Sequence, residues 1–462
     1  MRGMTKNRPK ADRAMLSAIF TLAWPTMLEQ LMQTAVQYID TGMVGSLGTR
    51  AVAAVGATST VNWLVGSTVS ALGVGFLALI SQAFGAGKEE KARQISAQAV
   101  LITVAAGIVM TSLTLLLSGM VPVWMQVDPQ VRDLAARYFR ILYSTMLFRA
   151  ASIILGMVLR SAGDTRTPMR AGLLVNGMNV VLNFLLIYPA RTISLFGLSI
   201  PMWGMGWGVE GAAAASAISF ACGGITITAA LLRHRDISPR GQSFRPNLPI
   251  LKSCFRIALP NMIQRFGTSL GYVVFASMIN SLGEISTAAH TIANTVESAF
   301  YIPGWGMQTA AATLAGNAYG ARDAKKLKRL GRTLLPVEVI LMVISGGLLF
   351  LLARPLVCLF SADEEVIRLG TTVLKMVAVS EPFYGVPIIV EGMMQGTGQT
   401  VKPLFFNLAG MWGIRITGTW ICIRMMKLGL TAAWGCMIAH NLLLFFLFGG
   451  YYLSGKCFPD RI

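Results

Sequence analysis

The chain has 462 residues, of which 54% are hydrophobic and only 13% are charged. A soluble domain carries roughly twice that charged fraction, so the composition excludes a soluble globular protein and indicates a polytopic membrane protein. The net charge of +19 would suit nucleic acid, but the basic residues are distributed between apolar segments, and we expect no nucleic acid partner.

Twelve apolar segments follow one another along the chain, and a bilayer span needs about 20 helical residues. Most of the 39 Lys and Arg residues fall on the same side as the N-terminus. The positive-inside rule then places both termini in the cytoplasm. The segments lie near 16–45, 51–80, 94–122, 134–159, 168–190, 207–232, 257–281, 286–315, 330–353, 369–394, 403–424 and 430–454.

The first segment carries a polar stripe. Glu29, Gln33, Gln37 and Asp40 fall on one side of a helix at 100° per residue. A carboxylate at mid-membrane costs roughly 2.5–3.5 kcal/mol on insertion scales, so the stripe must face protein or a wet cavity. Asp40 is a candidate for an ion or substrate path, whereas Gln33 and Gln37 could instead form an interhelical hydrogen-bond seam.

The second half of the chain repeats the first without a gap, at the constant spacing that separates Pro25 from Pro260. We call this spacing the repeat offset. Two copies of six spans keep the same orientation, which relates them by a pseudo-two-fold axis along the membrane normal. Such a repeat is typical of transporters that work by alternating access. The matching landmarks include Pro25 with Pro260, Ser46-Leu47-Gly48 with Ser281-Leu282-Gly283, Asp128 with Asp363, and Gly163, Thr165 and Pro168 with Gly398, Thr400 and Pro403.

The sequence therefore predicts an all-α membrane protein with twelve transmembrane helices in two pseudo-two-fold-related six-helix bundles. The linker between the bundles is rich in Arg, Pro and Ser. The predicted parts are a cytoplasmic N-terminal tail (1–15), an N-lobe with helices 1–6 (16–232), a cytoplasmic linker (233–256), a C-lobe with helices 7–12 (257–454) and a cytoplasmic C-terminal tail (455–462).

The two halves differ in where they carry charge. Asp40 aligns with Phe275 and Glu29 with Gln264, so the paired acids of the first helix belong to the N-terminal half alone. The C-terminal half has acids of its own within spans, at Glu297, Glu381 and Glu391.

These in-span acids can either line a substrate cleft between the lobes or be neutralised by ion pairs. The candidate partners for such pairs are Arg149, Arg265 and Arg415, which also lie within spans. We predict that the cleft is lined by Glu29, Gln33, Gln37, Glu297, Glu381, Tyr384 and Arg265.

The fifth segment places three asparagines on one helical face, because Asn176, Asn179 and Asn183 are spaced by three and four residues. Amide oxygens suit a hard monovalent cation or a hydrogen bond to a carboxyl group. Asp40 with Asn179 and Asn183 would make a cation site with a single negative charge. The alternative is that the amides connect neighbouring helices.

Three loops resemble those of multidrug and toxic compound extrusion (MATE) antiporters. The run IDTGMVGSLGTRAVAAVGA resembles the D-T-x-x-V-G-x-L-G signature that follows the first helix of this family. QAFGAGKEEKAR and its copy NAYGARDAKKLKR resemble the Q-x-x-G-A loop, and LRSAGDTRTPM with MQGTGQTVKPL resembles the R-G-x-G-D-T-x-x-P loop. The resemblance covers all twelve segments.

This resemblance implies roles for particular residues. Asp40 matches the aspartate of the family's N-lobe cation site, and Asn179 matches its fifth-helix asparagine. Asn183 stands where many members of the DinF branch carry a second aspartate, so one negative charge is missing. The acids of the NorM branch's C-lobe read Thr268 and Tyr384 here, which leaves the branch and the coupling ion open.

The resemblance thus implies a cation-coupled antiporter in a bacterial cytoplasmic membrane that exports amphipathic, often cationic organic compounds. We expect H⁺ or Na⁺ as the coupling ion at Asp40, with Asn179 among the ligands of Na⁺. We expect no other metal, no cofactor and a monomer in the lipid bilayer. A lipid-linked saccharide flippase of the same wider superfamily is the alternative. An enzyme is not expected, since the spans contain no HExxH or GxSxG motif.

Overall fold

The computed structural model describes residues 8–458, except for residue 126 and residues 196–197. For residues 8–12, 57, 59–60, 193–195 and 198–200 it describes the backbone alone. The described residues are overwhelmingly helical, as the composition predicts.

In the first half of the chain, each of the six predicted segments falls on a helix or on a broken helix. The helices are α1 (Arg8–Gly45), α2 (Thr49–Gly85), α3 (Glu89–Leu117), α4 (Val121–Trp124), α5 (Pro129–Tyr143), α6 (Met146–Ser161), α7 (Arg166–Leu186) and α8 (Gly208–Arg233).

The second half follows the same pattern, and its predicted segments also fall on helices. They are α9 (Leu248–Asn280), α10 (Glu284–Phe300), α11 (Ile302–Gly320), α12 (Ala324–Cys358), α13 (Glu364–Thr397), α14 (Val401–Leu408), α15 (Thr417–Trp420) and α16 (Leu430–Leu453), with π-helical stretches at Ala409–Ile416 and Ile421–Met425.

Four of the twelve segments are not single helices, and the third of the twelve runs past the end of α3 into α4. The fourth consists of α5 and α6, which meet at a bend of 49°. The eighth breaks between α10 and α11, next to Pro303, whose ring cannot donate a helical hydrogen bond. The eleventh combines α-helical and π-helical turns. In contrast, Pro25, Pro260 and Pro382 lie inside continuous helices.

A two-stranded antiparallel hairpin between α7 and α8 is an addition to the predicted all-helical fold. It is formed by β1 (Pro189–Leu195) and β2 (Leu198–Met205), with Ile193 opposite Ile200. Apolar and polar residues alternate within ISL and within LSI of the run ISLFGLSI, which suits strands. A search for segments long enough to span a membrane does not detect so short a pattern.

The helices identify the protein as membrane-spanning. Within the described part of the chain, seven helices are long and apolar enough to cross a membrane. The bent pair α5–α6, counted as one span, brings the number to eight. The two helices meet the length and hydropathy criteria only together, so the pair can be one broken span.

The chain divides into two compact units, which do not coincide with the sequence halves. The described residues of unit 1 fall within 1–27, 77–88 and 252–462, and those of unit 2 fall within 28–76 and 89–251. The N-terminal part of α1 and the C-terminal end of α2 therefore pack with the second half of the chain.

Each unit has its own apolar interior. In unit 1, α13 packs against α11, α12 and α16, and small residues of α11 such as Ala311 and Ala315 allow close approach. In unit 2, α8 packs against α6 and α7, where Gly223 lies against side chains of both helices and Gly224 lies against the backbone of Phe148 in α6.

Two glycines in unit 1 let the ends of α2 and α11 cross at backbone distance. A Cβ atom on Gly85 would collide with the carbonyl oxygen of Asn317, and one on Gly320 would collide with that of Gln82. The repeat offset aligns Gly85 with Gly320 and Gln82 with Asn317, so the crossing is reciprocal within the repeat. The Gln82 amide also donates to the carbonyl oxygen of Gly396, at 2.9 Å.

We predict that Gly320→Ala lowers the stability of the purified protein in detergent by about 1–3 kcal/mol, because the added methyl group would force two backbones apart. Thermal unfolding followed by tryptophan fluorescence measures this effect. The control is Gly347→Ala in α12, where a Cβ atom meets nothing within 4 Å. An equal loss of stability in both variants would contradict the tight crossing.

Candidate functional site

Asp40 lies in unit 2 where α1 meets α7. The Asn183 amide nitrogen donates to its carboxylate. The side-chain amide of Asn179 is oriented so that its nitrogen donates to the two carboxylate oxygens of Asp40, at 2.8 and 3.0 Å. In this orientation its oxygen accepts a hydrogen bond from the Ser216 hydroxyl group, at 3.1 Å. The structure thus brings together the three residues predicted from sequence and adds Ser216 of α8, which the sequence analysis missed.

The polar groups of this site are enclosed but not neutralised. Asn179 and Asn183 are both buried, whereas Asp40 is partly exposed. Among the described residues, no Lys, Arg or His lies within ion-pair distance of Asp40. The Asn183 amide oxygen is buried and has no hydrogen-bond partner within the described part of the chain. A carboxylate, two amides and a hydroxyl group are the ligands that a hard cation prefers.

Glu29 has a partner that the sequence analysis did not foresee. Its carboxylate forms an ion pair with Arg160 of α6, at 2.6 Å, and its side chain packs on Gly172 of α7. The two charged side chains are only 21% and 12% exposed. Gln33 and Gln37, from the same predicted stripe, are exposed in unit 2.

The equivalent positions in unit 1 carry amides in place of both charges, and the two amides meet at a third residue, Glu391. Gln264 aligns with Glu29, and Gln395 aligns with Arg160, at the repeat offset. Both amides donate to the carboxylate of Glu391, at 2.8 and 3.1 Å, and Asn407 donates to it at 3.2 Å. The repeat therefore extends from sequence to individual helix contacts.

Glu297 and Tyr384 lie close together in unit 1. The Tyr301 hydroxyl group donates to Glu297, at 2.8 Å, and its ring packs edge-on against Tyr384, with centroids 5.3 Å apart. Glu381 is fully buried nearby on α13, and its carboxylate oxygens have no hydrogen-bond partner among the described residues. Glu381 and Glu297 interact electrostatically, which places the two acids in one region.

Glu338 of α12 is a buried acid that the sequence analysis missed. It is fully buried between Gly304 of α11 and Gly385 of α13, and both of its carboxylate oxygens are without a partner in the described structure. The signal was a single glutamate inside the apolar run LLPVEVILMVISG. An acid in such a run is rare enough in a span to be singled out.

The alternative ion pairs of the in-span arginines do not form among the described residues. Arg149 instead donates to Asn62, and Arg265 donates to Asn261 at 3.1 Å. Arg415 donates to the sulfur atom of Met437, at 2.9 Å. Among the described residues, none of these arginines lies within ion-pair distance of Glu297, Glu381 or Glu391. Arg265 still interacts electrostatically with Glu391, and Arg415 with Glu297, from farther away.

The comparisons with known proteins agree with the internal repeat. The chain matches the protein-family model described as MatE twice, over residues 25–185 and 260–421. The two matches begin at Pro25 and Pro260, which the repeat offset aligns with each other. Together they cover more than half of the chain.

Curated relatives match along nearly the whole chain. A "Probable multidrug resistance protein NorM" of Thermotoga maritima is 26% identical over 438 residues, which are 95% of this chain and 92% of the relative. A "Probable multidrug resistance protein YoeA" of Bacillus subtilis is 25% identical over 461 residues, with 98% and 96% covered.

Solved structures show the same fold. One is described as "Outward-facing conformation of a multidrug resistance MATE family transporter of the MOP superfamily", with a TM-score of 0.86 at 24% identity. Another, "Reverse polarity of binding pocket suggests different function of a MOP superfamily transporter from Pyrococcus furiosus", also has a TM-score of 0.86 at 24% identity. Each comparison covers 95% of this chain and 96% of the other chain.

We predict that Arg160→Met destabilises the protein by roughly 2 kcal/mol, because Glu29 would keep a largely buried charge without a partner. The value lies below that for fully buried pairs, since both side chains keep some exposure. The double variant Arg160→Met/Glu29→Met should recover most of the loss in chemical or thermal unfolding. If both variants were equally unstable, the pair would not be the cause.

Proposed function

Because the chain belongs to the MatE family, we propose that it exports amphipathic, often cationic organic compounds in exchange for H⁺ or Na⁺. The relatives are named as multidrug resistance proteins, which are transporters rather than enzymes. The two matched halves support alternating access, in which one half of a transporter rocks against the other. The comparisons do not favour the flippase alternative.

The observation that carries this proposal is the Asp40 site. A carboxylate inside a span is costly unless it is compensated, and the compensation here comes from amide donors rather than from a basic side chain. Amide donors leave the negative charge in place. A cation that arrives from solution can therefore neutralise Asp40, and no resident Lys or Arg among the described residues competes with it.

The residues of the site could bind either candidate ion, and each ion would require a different orientation of the amides. A proton on Asp40 requires one neighbouring acceptor, which the unpartnered Asn183 amide oxygen supplies after rotation of the amide. Na⁺ requires several oxygen ligands, so the amides of Asn179 and Asn183 would both turn their oxygens inward. The donors that now face Asp40 suit the ion-free carboxylate.

Coupling follows if the cation and the substrate weaken each other's binding. Such coupling is reciprocal: an ion that lowers substrate affinity is itself bound less tightly when substrate is present. On the outer side the ion would occupy Asp40 and release the substrate. On the inner side the substrate would favour loss of the ion, with Glu29, Gln33, Gln37, Glu297, Glu381, Tyr384 and Arg265 as proposed cleft residues.

The setting that we propose is a bacterial cytoplasmic membrane, with a monomer whose two termini lie in the cytoplasm. The basic linker and loops would then face the cytoplasm, in keeping with the positive-inside rule. The proposed domain bounds stay those of the repeat, with lobes at 16–232 and 257–454.

The decisive experiment is dye transport in inside-out membrane vesicles, energised in turn by an acidic lumen and by lumenal Na⁺. We predict that wild-type protein accumulates a cationic dye under one of these gradients and that Asp40→Asn reduces the rate at least about tenfold. An amide cannot release a proton and binds Na⁺ weakly, so the exchange loses its ion step. The gradient that energises the wild type identifies the coupling ion.

The matched control for this experiment is Asp133→Asn, which removes an exposed carboxylate from α5 in the same way. It should transport as the wild type does. The proposal fails if Asp40→Asn transports as fast as Asp133→Asn under both gradients.

We also predict that export of a monovalent cationic dye is insensitive to the membrane potential. One cation entering for one monovalent cation leaving moves no net charge. If one net charge moved, 100 mV would change the equilibrium accumulation by about 2.3 kcal/mol, or about fifty-fold. Clamping the potential with K⁺ and valinomycin at a fixed ion gradient distinguishes these outcomes.

A further inference from the structure

The helix pair that holds Asp40 in the first repeat has a counterpart with the opposite charge in the second. At the repeat offset, Asp40 aligns with Phe275 of α9, and Asn179 aligns with Ile414 of the π-helical stretch Ala409–Ile416. The residue next to Ile414 is Arg415, whose guanidinium group lies over the Phe275 ring, 4.3 Å from its centroid. A buried cation thus occupies the region where the first repeat places a carboxylate.

Arg415 is held by apolar and aromatic groups. Its guanidinium carbon lies 4.7 Å from the centroid of Tyr272 as well as near Phe275, and one nitrogen donates to the Met437 sulfur atom at 2.9 Å. The side chain is only 3% exposed. The faces of the two rings attract the cation, but they supply no full negative charge.

No carboxylate within the described residues pairs with Arg415 at ion-pair distance. Glu297 interacts with it electrostatically from farther away, and that carboxylate accepts a hydrogen bond from Tyr301. The Nε atom of Arg415 is buried and has no partner in the described part of the chain. The charge is therefore under-compensated, since a buried guanidinium normally finds an anion.

Other unpartnered nitrogen atoms lie in the same cluster. His290 packs edge-on between Phe275 and Trp434, with ring centroids 5.7 and 5.9 Å apart. The Trp434 indole nitrogen and the His290 Nδ1 atom are buried without partners among the described residues, and so are both ring nitrogens of His440, which interacts electrostatically with Arg415. Buried groups of this kind usually have a partner in a native protein, and here they surround the guanidinium group with further polar atoms that a bound group could contact.

We infer that this cluster, which consists of Arg415, Tyr272, Phe275, His290, Trp434 and His440, binds the carboxylate group of an amphipathic organic substrate. The inference rests on the proposed export function and deepens it by naming a substrate class, compounds that carry a carboxylate. The planar guanidinium fork matches the two oxygens of a carboxylate, and the aromatic rings suit an attached apolar body. Tyr272, which is 40% exposed, marks the open side of the cluster.

The test uses two dyes that differ by one group, a rhodamine with a free benzoate carboxylate and its methyl ester. Their dissociation constants are measured by fluorescence polarisation with the purified full-length protein in chloride-free buffer. The wild type should bind the free acid about tenfold more tightly than the ester, because only the acid offers a partner to Arg415. Arg415→Gln should bring the ratio of the two constants close to one.

The matched control is Arg424→Gln, which removes an exposed arginine from the same segment of the chain. It should keep the wild-type ratio. A wild type that does not prefer the free acid, or an Arg415→Gln variant that is folded and keeps the preference, overturns the proposal.

If Arg415→Gln does not fold, the same ratio of dissociation constants is measured with Arg415→Lys. Lysine keeps the charge but loses the fork, so the ratio should fall to about threefold, and an unchanged ratio overturns the proposal. Asp40→Asn separates this inference from the proposed export function. It should reduce gradient-driven transport at least about tenfold while the equilibrium preference for the free acid remains.

Discussion

Buried charge without a resident counter-charge is the constraint on which the two polar sites of this protein depend. Both sites use the same pair of helices in their own repeat, α1 with α7 in unit 2 and α9 with the π-helical stretch Ala409–Ile416 in unit 1. Amide donors stabilise the Asp40 carboxylate, whereas aromatic rings and a thioether surround the Arg415 guanidinium. Neither arrangement cancels the charge, and both leave buried polar atoms without partners in the described structure. A group that the protein leaves uncompensated is one that a mobile ion or substrate can compensate.

The repeat explains why such sites can differ in charge while the framework stays the same. The framework includes helix contacts made by backbone and small residues, as at the crossing of Gly85 and Gly320 between α2 and α11, where a Cβ atom would collide with a carbonyl oxygen. Polar contacts at equivalent positions vary more freely. Glu29 pairs with Arg160 in the first repeat, and amides surround Glu391 in the second. Backbone packing therefore keeps the two halves alike in fold, while their polar side chains differ and can give each half a different function.

The helical fold and the repeat could be predicted from the sequence because both depend on long patterns, namely apolar runs and landmarks that recur at one constant offset. The approach of Asn179 and Asn183 to Asp40 was predicted as well, since the spacing on each helix restricts which faces can meet. The partner of Glu29 could not be predicted, because Arg160 is 131 residues away, in the last turn of another helix. The surroundings of Arg415 depend on a π-helical stretch, and its residues AGMWGIRI carry no signal that distinguishes π from α geometry.

The charge of the substrate determines how much of the membrane energy the exchange can use. A monovalent cation that leaves as one ion enters transfers no net charge, so only the ion gradient drives it. A zwitterion, whose carboxylate would pair with Arg415, leaves with no net charge, and the entering ion then carries one positive charge inward. The membrane potential adds about 2.3 kcal/mol per 100 mV to that exchange. An anion site in the second repeat would therefore widen the range of substrates and also increase the force available to export those that carry a carboxylate.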